Sequence, residues 1–273
     1  MDIKGINDVR RPEHSPFPYI ARDRTFGNDS FDFWIIDAVG RDWYDNSPSQ
    51  EHHEWRWCRD HVKQGMTIVD CGAHHGMMTV LFARWTGPTG RVHAYEALPS
   101  NAKVIERNVK LNRLDNVVIR ARAVGDRKGR AEVHSQSGNA RVGLKGSGEF
   151  VDTCCLDDEL RGTRVDFLKI DVEGYEIPAL AGMRHVIRQQ PIIDLELHCF
   201  AYANRVDTLR HVLKIITPDA WDLFVQPTPG DLPVRKEHID PSWLAAFENP
   251  HMLGLPRDGL RSRLDRVRAL LGL

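Results

Sequence analysis

The sequence predicts an α/β fold, a Rossmann-like and mainly parallel sheet with helices on both faces. Three observations carry that expectation. Short β-branched or apolar runs recur at 67–69, 91–95, 116–119, 165–170, 191–198 and 221–225. Segments with apolar residues at helical spacing separate most of them, and strands alternating with helices give a sheet covered on both sides. A glycine turn, Val69-Asp70-Cys71-Gly72-Ala73-His74-His75-Gly76, joins the first run to the helix-like stretch at 77–84, as in the opening unit of a doubly wound sheet.

Residues 1–30 carry Pro12, Pro16, Pro18 and many charges without a period, and read as an irregular arm. The aromatic-rich stretch from Phe31 to Tyr44 reads as a hairpin. Ser47-Pro48-Ser49-Gln50 is a helix start: Ser47 can cap, Pro48 suits the first helical position, and Gln50 can close a capping box. The helix that follows places Trp55, Cys58 and Val62 on one face and stops near Gly65. After the glycine turn and its helix, the strand at 91–95 ends on Glu96, and Leu98-Pro99-Ser100-Asn101 opens a helix with Ala102, Ile105 and Val109 in register. A third strand starts at Asn116 and runs toward Ala123-Val124 before a turn at Gly125-Asp126. Residues 129–155 alternate short β-like pieces with a Gly/Ser loop at 135–148. The strand at 165–170 ends at Asp171, and 191–198 is the next. Helices are expected at 177–190 and at 206–217, where Val206, Leu209, Leu213 and Ile216 share a face. A strand at 221–225 precedes a loop-rich tail from 231 and a last amphipathic helix carrying Leu260, Leu264, Val267 and Leu271. This divides the chain into 1–64 (arm, aromatic hairpin and helix), a cofactor-binding domain at 65–230, and a C-terminal addition at 231–273.

The chain has 273 residues, 41% hydrophobic and 27% charged, with a formal net charge of −1. That balance suits one large α/β domain with additions and argues against a nucleic-acid binder that relies on bulk positive potential. Accordingly, Arg261, Arg263, Arg266 and Arg268 of the last helix read as a solvated face or a homo-oligomer contact rather than a nucleic-acid stripe. The five cysteines are odd in number and form no C-x-x-C pair, which argues against a disulfide framework or a zinc knuckle. No apolar run has signal-peptide or membrane-spanning length. A cytoplasmic protein without a membrane partner is expected.

Ligands of such sheets sit beyond the carboxyl ends of the strands. Gly72, Gly76, Glu96, Val124, Asp171, Glu196 and His198 all follow predicted strands and should gather on one edge. Glu96 lies twenty residues after Gly76, where an acid can accept hydrogen bonds from both hydroxyls of a ribose. A dinucleotide fold wants G-x-G-x-x-G, yet position 74 is His, which counts against a nicotinamide-dependent oxidoreductase. Asp70, beside the turn, suits a cationic cofactor better than a pyrophosphate, and S-adenosylmethionine carries a sulfonium and an ammonium.

Asp171 and Glu173 lie at a strand-to-helix junction, where carboxylates can position a hydroxyl nucleophile, face the cofactor amine or bind a divalent ion. Glu196 and His198, two apart on a strand, point to the same face. There His198 can act as a general base, or Glu196 with Asp171 can complete an oxygen-rich Mg²⁺ site. Of His74 and His75, one is expected to line the acceptor pocket and the other to point to solvent; His75 is taken as a third catalytic candidate beside His198 and Asp171. Phe33, Trp34 and Trp43 could roof the cofactor, but ordinary core packing is the favoured account of the hairpin aromatics. Methyl transfer from a sulfonium asks the protein mainly to align the acceptor and exclude water. An acid cluster with a His therefore suits a hydroxyl acceptor, which is a poor nucleophile while protonated.

The stretches Val69-Asp70-Cys71-Gly72-Ala73-His74-His75-Gly76, Ala94-Tyr95-Glu96, Ala123-Val124-Gly125-Asp126, Leu156-Asp157-Asp158, Asp166 through the specific Lys169-Ile170-Asp171-Val172-Glu173-Gly174-Tyr175-Glu176, and Leu195-Glu196-Leu197-His198 occur in one order over roughly residues 65–200. In them the chain resembles the FkbM family of class I S-adenosylmethionine-dependent methyltransferases. The resemblance implies a seven-stranded class I fold and methylation of a hydroxyl, often on a sugar of a natural product or glycan. It implies Asp70, Gly72, Gly76 and Glu96 as cofactor contacts with Val124 near adenine; Ala73, Thr79, Asn101 and Asp171 complete the candidate set. Two departures stand out: His74-His75 where the family usually has Asn and a small or apolar neighbour, and Ala97-Leu98-Pro99 where a Pro commonly follows the acid directly. A non-catalytic cofactor-binding partner subunit is the remaining alternative, distinguished by binding without turnover.

Overall fold

The computed structural model describes residues 16–45, 52–136, 139–142 and 148–257. An N-terminal hairpin, β1 (Tyr19–Phe26) and β2 (Asp29–Ile35), leads into α1 (Ala38–Tyr44) and α2 (His53–His61). The alternating body begins with β3 (Thr67–Cys71), α3 (Met77–Thr86), β4 (Arg91–Glu96), α4 (Pro99–Leu111) and β5 (Val117–Ala121). A side sheet follows from β6 (Ala123–Val124), β7 (Gly129–Gln136), β8 (Asn139–Val142) and β9 (Glu149–Cys154). The body resumes with α5 (Leu156–Glu159), β10 (Phe167–Ile170), α6 (Glu176–Ala181), α7 (Arg184–Arg188), β11 (Ile192–Glu196), α8 (Arg205–Ile215) and β12 (Trp221–Gln226). Then come β13 (Val234–Lys236), α9 (Pro241–Leu244) and β14 (His251–Pro256).

The main sheet has the order β13-β12-β14-β11-β10-β3-β4-β5. Strands β5, β4, β3, β10 and β11 are parallel neighbours. β14 enters antiparallel between β11 and β12, and β13 pairs antiparallel with β12. The seven-stranded class I arrangement is therefore present from β5 to β12, with β13 added at the edge. The side sheet has the order β6-β9-β7-β8.

Alternation along the central strands sends successive side chains to opposite faces. Val69, Leu168, Ile193 and Met252 pack with residues of α5 to α9, while Ile68, Phe167, Ile192 and Leu253 pack with α2, α3 and the hairpin. The hairpin is fastened by two asparagines of α4. Asn108 Oδ1 accepts the Trp34 N–H at 2.7 Å and its amide donates to the His75 carbonyl at 2.9 Å. Asn112 bonds the Asp32 N–H and carbonyl at 3.2 and 2.7 Å. Side-chain amides thus satisfy backbone groups that β2 would otherwise leave unpaired.

Several expectations are corrected. The hairpin partner of β2 lies upstream, in the arm read as irregular, and 38–44 is helical because the Asp37 side chain caps it by accepting the Gly40 N–H at 2.7 Å. The third strand breaks at Arg122, sending β5 and β6 to different sheets. The helix expected at 177–190 divides at Gly182, where a Cβ would stand 1.9 Å from the Gly125 carbonyl oxygen. The tail supplies β14 to the main sheet, so the boundary at 230 cuts through one structural unit that runs on to Pro256. The helix start at Ser47-Pro48 and the last amphipathic helix with its arginines lie outside the described residues. No helix among the described residues is long and apolar enough to cross a membrane.

Candidate active site

The carboxyl ends of β3, β4, β10 and β11 open onto a cavity of about 620 Å³. Its floor begins at the glycine turn. Gly72 has φ +82°, and a Cβ there would lie 1.6 Å from the Asp171 carbonyl oxygen, so only glycine lets β3 and β10 approach this closely. The Gly72 and Ala73 N–H groups both donate to the Tyr95 carbonyl, at 2.9 and 3.1 Å, which closes the turn. Gly76, φ +87°, packs against Ile105 and starts α3 behind the cavity wall.

Two carboxylates flank the glycine turn, at the ends of β3 and β4. Glu96, almost fully buried, accepts the His74 N–H at 2.8 Å on Oε2, and the Leu98 N–H at 2.9 Å and the Asn101 amide at 3.4 Å on Oε1. Burial nevertheless pushes its carboxyl up to about 7. Asp70 is fully buried; its Oδ2 accepts the Thr79 hydroxyl, and its Oδ1 has no hydrogen-bond partner. Burial raises Asp70 to about 6. Thr79 and Asn101 thus support these acids and do not themselves line the cavity, whereas Gly72, Ala73 and Val124 do.

The glycine-turn histidines part company. His74, at φ +51°, lines the cavity, and its Nδ1 meets the Tyr44 hydroxyl at 2.8 Å while Trp43 tilts over its ring at 5.3 Å. His75, a catalytic candidate from the sequence, neither faces solvent nor lines the cavity. It is fully buried beneath α1, against Gly40, with Nε2 4.0 Å from Asp37. The aromatics divide likewise. Phe33 is core, Trp34 is covered by the Arg107 guanidinium at 3.9 Å, and Trp43 forms part of the cavity wall.

A chain of alternating charges crosses the floor. Lys169 lies in register between Asp70 and Asp194, and its ammonium is 3.0 Å from Glu54, 3.5 Å from Asp194 and 3.6 Å from Asp171. Burial disfavours its charge, but these acids hold it well above the ordinary lysine range. His251 sets Nδ1 3.0 Å from Asp194 and Nε2 3.6 Å from Glu196. His198 sets Nδ1 2.7 Å from Glu176, with Nε2 3.5, 3.7 and 3.8 Å from Glu173, Asp171 and Glu196. Burial opposes its charge, yet the Glu176 hydrogen bond and the Glu196 and Asp171 carboxylates raise it to about 9.

Asp171 and Glu196 are driven apart by these surroundings. Burial and then the Glu196 charge push Asp171 up to about 6, whereas His251, His198 and Lys169 overcome burial and hold Glu196 below the ordinary range. Both line the cavity, and His198, 1% exposed, stands behind them. His198, expected as a direct base, thus stands behind the carboxylates that line the cavity, and its neighbours favour its charged form. Asp171, Glu196 and His198 each also offer a ligand atom within 4.8 Å of the other two, a spacing that admits a divalent ion.

Sequence reasoning missed Lys169, Glu54, His251 and Tyr44. Lys169 had a signal, a lone cation inside an otherwise apolar strand. Glu54 and His251 reach the site from distant segments and carried none.

No curated protein sequence matches the chain. Solved structures similar to it include the FkbM methyltransferase from Methylobacillus flagellatus KT, 19% identical with a TM-score of 0.47 over 69% of this chain and 43% of that one. A putative rRNA methylase from Clostridium thermocellum is 13% identical, with a TM-score of 0.47 over 75% and 92% of the two chains. Aeropyrum pernix fibrillarin with natively bound S-adenosyl-L-methionine is 16% identical, with a TM-score of 0.42 over 71% and 68%. The chain thus spans less than half the length of the Methylobacillus protein. The family described as Methyltransferase FkbM domain matches residues 70–222, which begins at Asp70 and takes in the glycine turn, Glu96, Asp171, Glu196 and His198. That segment is more than half of the sequence, and the chain belongs to the family of FkbM methyltransferase domains.

Proposed function

We propose that the chain transfers a methyl group from S-adenosylmethionine to a hydroxyl, that of a sugar in a glycan or a glycosylated natural product. The observation that carries the reading is the meeting, in one cavity, of Asp70 and Glu96 on one side with Asp171 and Glu196 on the other. The first pair fits the cofactor. Glu96 stands at the end of β4 with an edge toward the cavity for ribose hydroxyls, and Asp70 Oδ1 is a buried acceptor without a donor, which suits a cation. When bound, S-adenosylmethionine supplies an already activated methyl group on a sulfonium.

The chain's own residues have three tasks. Trp43, His74 and Phe200 wall the cavity and exclude water. Glu196, held ionised by two imidazoles, accepts a hydrogen bond from the acceptor and fixes its approach. Asp171, poised near 6 and accessible over 27% of its side chain, receives the hydroxyl proton as the oxygen takes the methyl group. Carboxylates whose neighbours push them apart are a recurring division of labour in acid–base sites.

Label transfer from S-adenosylmethionine to a panel of sugars and glycosylated small molecules tests this. Asp171→Asn should lower kcat by a factor of 10²–10⁴, the usual range for a general base. Transfer to amines only, undiminished turnover in that variant, or cofactor binding without turnover on any acceptor would each defeat it; the last outcome would favour the partner-subunit alternative.

A second reading places Mg²⁺ against Asp171 and Glu196, favoured by the 4.8 Å cluster with His198. Lys169, His198 and His251 already bring positive charge to those acids, which favours the metal-free form. Activity surviving EDTA separates the two. All five cysteines are free thiols, which suits the cytoplasm as the proposed location.

A further inference from the structure

Glu176 opens α6 with a fully buried side chain. An acid in the first turn of a helix ordinarily stays solvated and answers the helix dipole. This one is surrounded by donors from three segments. Oε1 accepts the Gly174 N–H at 3.0 Å and faces His198 Nδ1 at 2.7 Å, and Oε2 accepts the Tyr202 hydroxyl at 2.9 Å. A carboxylate on Nδ1 keeps the hydrogen on that nitrogen and directs Nε2 the other way. There Nε2 meets Glu173, Asp171 and Glu196 at 3.5, 3.7 and 3.8 Å. Phe200 closes the ring's remaining side, edge-on at 5.8 Å between centroids.

We infer that Glu176 is a positioning residue: through the Nδ1 bond it fixes the plane and reach of His198, and through His198 the carboxylate of Asp171 at the cavity wall. The inference rests on the proposed hydroxyl methylation. Two contacts joined by the rigid imidazole ring carry it, from Glu176 to His198 Nδ1 and from Nε2 to the carboxylates that line the cavity. Glu176 itself does not line the cavity.

The test compares the full chain with Glu176→Gln, His198→Gln and the double variant. Glu176→Gln keeps shape and one acceptor but loses the charge. It should leave the Kd for S-adenosylmethionine within twofold, because Asp70 and Glu96 are untouched, and lower kcat about 10–100-fold, the range seen when a residue that orients a functional histidine is changed. The double variant should fall no further than the poorer single, since the two act as one unit. Additive losses, or a kcat within twofold of wild type in Glu176→Gln, would overturn the inference. A readout without acceptor runs alongside. The downfield imidazole N–H proton resonance of the buried Glu176–His198 bond, absent in His198→Gln, should move upfield in Glu176→Gln. If it stays put, the inference fails whatever the turnover. If it moves while the wild type methylates no hydroxyl, the positioning contact stands and the hydroxyl reading alone falls.

Discussion

Changing Glu96 to Gln separates charge from shape at the proposed ribose contact. In the wild type, Oε2 accepts from the His74 N–H and Oε1 from the Leu98 N–H and Asn101. A glutamine must turn its NH₂ toward one of those backbone donors, leaving a buried N–H unsatisfied at about 1–3 kcal/mol, and it offers the cofactor no charge-assisted acceptor. The Kd for S-adenosylmethionine should rise by about 10–100-fold. The pH dependence is the sharper signature. With the carboxyl near 7, the ionised fraction falls from about nine-tenths at pH 8 to about one-tenth at pH 6, so wild-type affinity should weaken about twentyfold over that interval, tenfold through Glu96 and twofold through Asp70. In Glu96→Gln only Asp70, near 6, still titrates, and the change should shrink to about twofold. Stability runs the opposite way. A carboxyl raised above its unfolded value of about 4.3 binds its proton more tightly when folded. Its stabilising contribution is full below about pH 4.3 and is lost as pH rises through 7. The cofactor-free wild type should therefore lose melting temperature relative to Glu96→Gln across pH 5–7, while gaining cofactor affinity. Titration calorimetry at three pH values and melting curves check both. Equal pH dependence of binding in the two proteins would refute the reasoning.

Lys169→Met should be severe, because removing the cation leaves Asp194 and Glu54 buried beside each other; about 3–5 kcal/mol of stability should go, seen as early denaturant unfolding. Asn108→Ala removes the partners of the Trp34 N–H and the His75 carbonyl, and about 2–4 kcal/mol is expected from chemical denaturation. Tyr44→Phe deletes the bond to His74 Nδ1 and costs about 1 kcal/mol, with a raised KM for the acceptor in steady-state assays and little change in cofactor affinity.

The parallel core was legible because its elements are local. β3, β4, β10 and β11 are short apolar runs, and the acids at their ends stand where strand periodicity puts them. Glu96 and Asp171 could be placed from spacing alone for that reason. The N-terminal hairpin was half legible: most of β2 lay in the stretch read as a hairpin, but its partner β1 and its fastening by Asn108 and Asn112, some 80 residues away, left no local signal. β14 escaped for a related reason: a short strand buried between β11 and β12 is specified by its neighbours rather than by its own sequence pattern. The character of His198 was also hidden. Two residues from Glu196 it reads as a base, and the approach of Glu176 and Asp171 from another segment adds to Glu196 in raising it to about 9.

The placement of β14 has a consequence for the order in which the molecule is made. A nascent chain that has emerged only as far as β12 holds β11 and β12 with a vacant slot between them, since the strand that pairs with both is still being synthesised. His251, which holds Glu196 ionised, and Asn249, whose amide donates to the same carboxylate at 3.3 Å, arrive with that strand. Closure of the sheet and completion of the proposed acceptor side thus both wait for β14 to follow β12. A fragment ending with the family segment at 222 would carry the proposed cofactor residues but an open sheet and an unfinished acceptor side.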